Sequence, residues 1–116
     1  MKSVEQLDVF KLSHEMALAI YELTKNFPEE EKFGLTSQMR RAAYSVPMNL
    51  VEGANRLNSK EYRHFVGIAK GSAGEITYQL LLARDLKYID EKTHDSYRSS
   101  YDRIAQMLTG LAKSLK

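Results

Sequence analysis

Apolar side chains recur every three or four residues along four successive stretches of this chain, each bounded by residues that start or stop helices. A 3.6-residue period places such side chains on one face of a helix. Four half-apolar helices must hide four faces from water, and packing them against one another does so. The connections are short, so consecutive helices should lie antiparallel. The sequence therefore predicts an all-α fold, an antiparallel up-down four-helix bundle. Its 116 residues suit one domain spanning 1–116, since two domains of that total would each struggle to bury a core.

Helix one is expected from about Asp8 to Asn26, with Val9, Leu12, Met16, Ile20, Leu23 and Phe27 on one face and Lys11, Glu15, Glu22 and Lys25 opposite. Leu18 sits within that charged face, either as one exposed Leu of the ordinary kind or as a contact with another subunit. Pro28 stops the helix, because the residue before a proline avoids helical angles. Helix two should start at a Thr36 N-cap and reach about Arg56, burying Leu35, Met39, Ala42, Val46, Leu50 and Leu57. Pro47 inside it removes a backbone hydrogen bond and should bend it. Asn58 and Glu61 read as a capping-box variant opening helix three, which continues to about Lys87 with Phe65, Ala69, Ile76, Leu80 and Ala83 as its core face. Gly67, Gly71, Gly74 and Tyr78 share a different face, which suggests close approach of a neighbouring helix or of a ligand, the helix being the favoured reading. Asp90 caps helix four, whose stripe is Tyr97, Tyr101, Ile104, Leu108, Leu111 and Leu115.

Composition excludes several classes. There is no cysteine, which removes disulfides, thiolate metal sites and thiol nucleophiles. The N-terminal MKSVEQLDVF lacks the apolar segment of a signal peptide, and no apolar run approaches the roughly 20 residues of a membrane helix. A cytoplasmic location with no membrane association is the expectation. Hydrophobic residues at 43% and charged residues at 28% are a globular balance. Net charge is only +2, but residues 31–72 hold seven Lys/Arg against three Glu, whereas residues 1–30 are net acidic.

Glu61-Tyr-Arg-His64 and Glu91-Lys-Thr-His94 repeat the Glu-x-x-His spacing of di-iron bundles, with Glu15 or Glu22 and Glu52 as conceivable further ligands. Geometry opposes the idea. Both motifs open their helices, and the starts of antiparallel neighbours lie at opposite ends of a helix roughly 43 Å long. No triad pattern surrounds His14, His64 or His94, and no phosphate-cradling glycine loop is present. A non-enzymatic chain without metal or cofactor is expected.

Arg63, Lys70 and Arg84 fall at heptad spacing on helix three, opposite its expected core, with Arg40, Arg41, Arg56 and Lys60 nearby in sequence. Tyr44 and Tyr62 lie among them, suited to stacking on bases. Such a surface either binds phosphates through charge or is an ordinary solvated face.

The run from Gly34 to Gly53, GLTSQMRRAAYSVPMNLVEG, resembles the signature of the four-helix bundle proteins encoded within 23S ribosomal RNA intervening sequences, also called S23 ribosomal protein-like. A second block from Phe65 to Glu75, FVGIAKGSAGE, is similar to that family's second signature. Leu7 to Phe10 and the Phe27-Pro28 stop agree, while helix four agrees only in periodicity. The resemblance implies a bundle assembled as a homopentamer. It also implies kinship with the accessory variability proteins of diversity-generating retroelements, which bind nucleic acid and contact a reverse transcriptase. The signature residues are Gln38, Arg41, Asn49, Glu52, Gly53, Gly71, Ser72 and Glu75. They form either a shared surface or structural contacts, with Asn49 and Ser72 suited to backbone groups freed near Pro47. Arg41 and Glu52 lie about 16 Å apart along their helix, so each should meet another helix or subunit. The function expected is a non-enzymatic, homo-oligomeric module binding structured RNA or DNA through its basic surface. The alternative is an adaptor recruiting a protein such as a polymerase or reverse transcriptase.

Overall fold

The computed structural model describes residues 3–116. Four helices follow a 3-10 turn at Val4–Gln6: α1 (Asp8–Thr24), α2 (Leu35–Ala54), α3 (Ser59–Asp85) and α4 (Glu91–Ser114). There is no strand among the described residues. Arg41 meets Glu75, Ser45 meets Ser72 and Gly53 faces Phe65, so α2 and α3 run antiparallel. Arg84 near Glu91 and Arg63 against Leu115 give the same sense to α3 and α4. The up-down bundle expected from periodicity is the architecture found.

The core is one continuous cluster. Ile20, Met39, Val46, Leu50, Val66, Ile76, Leu80, Tyr101, Ile104 and Leu108 are its large, fully buried apolar side chains and come from all four helices. Its α1 face is wider than the apolar stripe, because Ser13 and Thr24 are buried too. Their hydroxyls donate back to the carbonyls of Phe10 and Ile20, which removes the cost of burying them. His94 likewise extends the α4 stripe inward.

The helix ends follow local chemistry. Asn58 Oδ1 accepts the Glu61 amide at 2.9 Å, and the Glu61 carboxylate in turn accepts from the Asn58 side chain at 2.8 Å. Asp90 accepts the Thr93 amide at 2.8 Å, and these hydrogen bonds hold its carboxyl below the usual aspartate value. Lys87, with φ 68°, closes α3: the Tyr88 amide reaches Ala83 O and the Lys87 amide reaches Arg84 O, the two bonds of a Schellman cap.

Two expectations about α2 fail. Thr36 is not its N-cap. That position is Gly34, and the Glu31 carboxylate accepts the Leu35 amide at 3.0 Å from the preceding turn, freeing Thr36 to be buried. Leu57 is not core but 99% exposed, because the helix stops at Ala54. There the Asn55 side chain donates to Val51 O and the Arg56 amide folds back to Gly53 O. Pro47 is buried within an α2 that continues through it.

Candidate nucleic-acid interface

The seven cations singled out in the sequence do not form one belt. Four are engaged within the fold. Arg40 clamps α2 to α1, donating to Thr24 Oγ1 at 2.8 Å and Tyr21 O at 3.2 Å with its guanidinium over the Tyr21 ring. Arg41 pairs with Glu75 at 3.2 Å. Arg56 pairs with Glu52 at 3.4 Å and lies 4.5 Å from the Phe65 ring centre. Arg84 is half-buried between Asp85 at 3.1 Å and Glu91 at 3.9 Å. An exposed pair of this kind contributes little stability, but each carboxylate still cancels the local field of its partner.

The other three are Lys60, Arg63 and Lys70, and none has a carboxylate partner among the described residues. Lys60 lines a cleft that also contains Glu61. Arg63 and Lys70 line a groove of about 270 Å3 between α3 and α4, together with Val66, Gly67, Leu108, Thr109, Ala112 and Lys113. No carboxylate lines it. The Arg63 guanidinium is anchored by donation to Leu115 O at 2.6 Å, a neutral acceptor that leaves its charge uncompensated. The stripe of Arg63, Lys70 and Arg84 thus runs along the α4 edge of α3 rather than opposite its core. Lys113 was not among the residues picked from sequence. Its membership depends on the register of α4 against α3, which no local pattern encodes. Of the two tyrosines suited to stacking, Tyr44 is exposed on α2, whereas Tyr62 packs partly against the core and burial raises its hydroxyl pKa.

Most of the signature residues meet along the seam between α2 and α3. Arg41 bridges Gln38 at 3.4 Å and Glu75, and Gln79 donates to the same Glu75 oxygen. Ser72 and Ser45 share a buried hydrogen bond of 2.9 Å, and the Asn49 amide donates to both Ser45 O and Ser45 Oγ. Proline at 47 deprives Ala43 O of its helical donor. Asn49 and Ser72 bond to Ser45 instead, correcting the expectation that they serve the freed carbonyl. At Gly53 a Cβ would stand 2.9 Å from Tyr62 Cδ1 and 3.2 Å from Tyr62 O, so the glycine lets α3 cross closely. Arg41 does meet another helix as expected. Glu52 meets only Arg56 of its own helix.

Gly67, Gly71 and Gly74 contradict the expectation of a neighbouring helix within the subunit. All are exposed, and a Cβ on any of them would meet nothing within 4 Å. They lie exposed, like Ile68 and Tyr78 of α3 and Met48 and Val51 of α2, on the outer side of this helix pair, where the Arg41–Glu75 and Arg56–Glu52 pairs are also exposed. The outer side of α4 carries no exposed large hydrophobic residue among those described, and Arg98 and Asp102 pair across one turn there at 3.0 Å.

Among the described residues no three His, Asp or Glu side chains converge as metal ligands. Glu61 and Glu91 open α3 and α4, helices that run in opposite senses. No described helix is long and apolar enough to cross a membrane.

A family described as 23S rRNA-intervening sequence protein matches residues 5–110. The crystal structure of a protein of unknown function from the S23 ribosomal protein family of Bacteroides thetaiotaomicron is 25% identical, with a TM-score of 0.81 over 90% of this chain and 98% of that one. No curated protein matches.

Proposed function

The chain belongs to the 23S rRNA-intervening sequence protein family, and on that premise we propose that it is a homo-oligomeric module that binds structured RNA through the groove between α3 and α4. One observation carries this reading: Arg63, Lys70 and Lys113 border one open groove with no carboxylate lining it. Cations in that state release counterions when they meet phosphates, which gives affinity without reading bases.

The exposed Met48 and Val51 of α2 and Ile68 and Tyr78 of α3 support self-association. Exposed apolar patches of this kind mark interaction sites, and glycines there let another backbone approach. The homopentamer implied by the family resemblance is the assembly we favour. Repeating the groove around a ring raises avidity without new contacts.

A filter-binding titration of a hairpin RNA at two salt concentrations tests the RNA reading. Arg63→Glu with Lys70→Glu should weaken binding at least tenfold. Unchanged binding, or equal affinity for an unrelated anionic polymer, removes the RNA reading. Capture of one protein, insensitive to nuclease, would instead favour the adaptor. For the assembly, light scattering should give a single oligomer that Met48→Lys disperses, and a monomer at micromolar concentration contradicts it.

A further inference from the structure

A second cleft, of about 500 Å3, lies on the opposite flank of the bundle where α1 meets α2. Its aromatic walls are Tyr21, Phe33 and Tyr44, and its cations are Lys32, Arg40 and Arg41, with no carboxylate in the lining. Phe33 is 89% exposed, and no contact of the core accounts for it. Lys32 Nζ stands 5.6 Å from the Phe33 ring centre, and the Arg40 guanidinium 4.8 Å from that of Tyr21. Arg40 bonds only to neutral oxygens, so its charge stays uncompensated, whereas Arg41 is paired with Glu75. Glu31, next to Lys32 in sequence, is turned away to the Leu35 amide and the Tyr88 hydroxyl. Exposed rings edged by cations are the combination that holds unstacked bases and their phosphates.

We propose that the cleft walled by Tyr21, Phe33 and Tyr44 is a stacking site for a nucleobase of a single-stranded RNA segment, with Lys32 and Arg40 meeting the adjoining phosphate. The inference rests on the nucleic-acid reading above and adds that loops, not only helical stems, are recognised. The volume suits one nucleotide, being within the range of small-ligand clefts. Phe33 and Tyr44 supply π-faces that accept any base, so the site selects strandedness rather than sequence.

The test uses the full chain and three probes: a single-stranded oligoadenylate carrying 2-aminopurine, an abasic strand of equal length, and a hairpin stem. Phe33→Ala with Tyr44→Ala should weaken oligoadenylate binding about tenfold and abolish the change in 2-aminopurine fluorescence, while abasic and stem binding stay unchanged. Both side chains project from the surface, and an unaltered melting temperature verifies the fold. If the variant keeps the affinity and the fluorescence change, or if wild-type protein binds the abasic strand as well as oligoadenylate, the stacking site is refuted while groove binding survives. If wild-type protein binds none of the three probes, the groove reading falls as well. If the double variant instead loses capture of a protein while oligoadenylate binding is intact, the cleft is a protein-docking site and the proposal is overturned.

Discussion

Helix α3 has two flanks that handle charge in opposite ways. Toward α2, Glu75 takes up Arg41 at the surface, and hydroxyl and amide groups close a polar seam beneath it. Toward α4, Arg63 and Lys70 stand with Lys113 around a groove that no carboxylate lines. The same helix thus binds its own chain on one side and leaves positive charge free on the other. A count of basic residues along the sequence does not separate the two uses. What separates them is whether an acid from another helix is in register. The first flank should therefore govern stability and assembly, and the second affinity for phosphates.

Substitutions that confuse the two roles would break this division. The largest effect is expected at Gly53, where Gly53→Val drives a branched side chain into Tyr62 and Phe65 and should cost about 2–3 kcal/mol in denaturant unfolding. RNA affinity of the folded fraction should not change. Next comes Ser45→Val, which strands the Ser72 hydroxyl and half the bonding of Asn49 in a buried seam, for about 1–2 kcal/mol. Gly71→Ala has the opposite sign for a lone subunit. Its Cβ meets open space, so helix propensity should add up to about 1 kcal/mol, while assembly weakens if a second subunit covers that face. Comparing unfolding with light scattering on this variant separates subunit stability from association.

The smallest effect concerns acid. The Asp90 carboxyl is held below its ordinary value of 3.8 by its hydrogen bonds to Thr93, and Glu31 is held below 4.5 by the Leu35 amide and then Tyr88. A lowered folded-state pKa means that stability is present above those ordinary values and is lost as pH falls through the lowered ones. Thermal melts should therefore decline below about pH 4.5. Asp90→Asn, which keeps a capping oxygen, should flatten the lower part of that decline.

The fold was readable because it rests on local periodicity. Val9, Met16 and Ile20, or Tyr101, Ile104 and Leu108, announce their burial through spacing alone. Asn58 and Asp90 announce their helix starts in the same local way. Leu57 misled because apolar spacing continues past the point where Asn55 and Gly53 terminate α2. The glycine face of α3 misled because glycines permit close approach without saying which molecule approaches. Arg41 and Glu75, 34 residues apart, and Lys113 beside Arg63 depend on inter-helix register, which sequence periodicity leaves open. For that reason Arg40 and Arg41 looked available in sequence and are engaged in the fold, whereas Arg56 with Glu52 and Arg84 with Asp85 are local pairs that spacing alone could have shown.

The most direct measurement is the dependence of hairpin-RNA affinity on salt for two variants of the full chain. Neutralising the groove with Arg63→Gln, Lys70→Gln and Lys113→Gln should flatten the slope of log affinity against log salt by about two units or more. Neutralising the seam side with Arg41→Gln and Arg56→Gln should leave that slope unchanged. Equal flattening in both variants, or none in the groove variant, would contradict the assignment of phosphate binding to the α3–α4 flank.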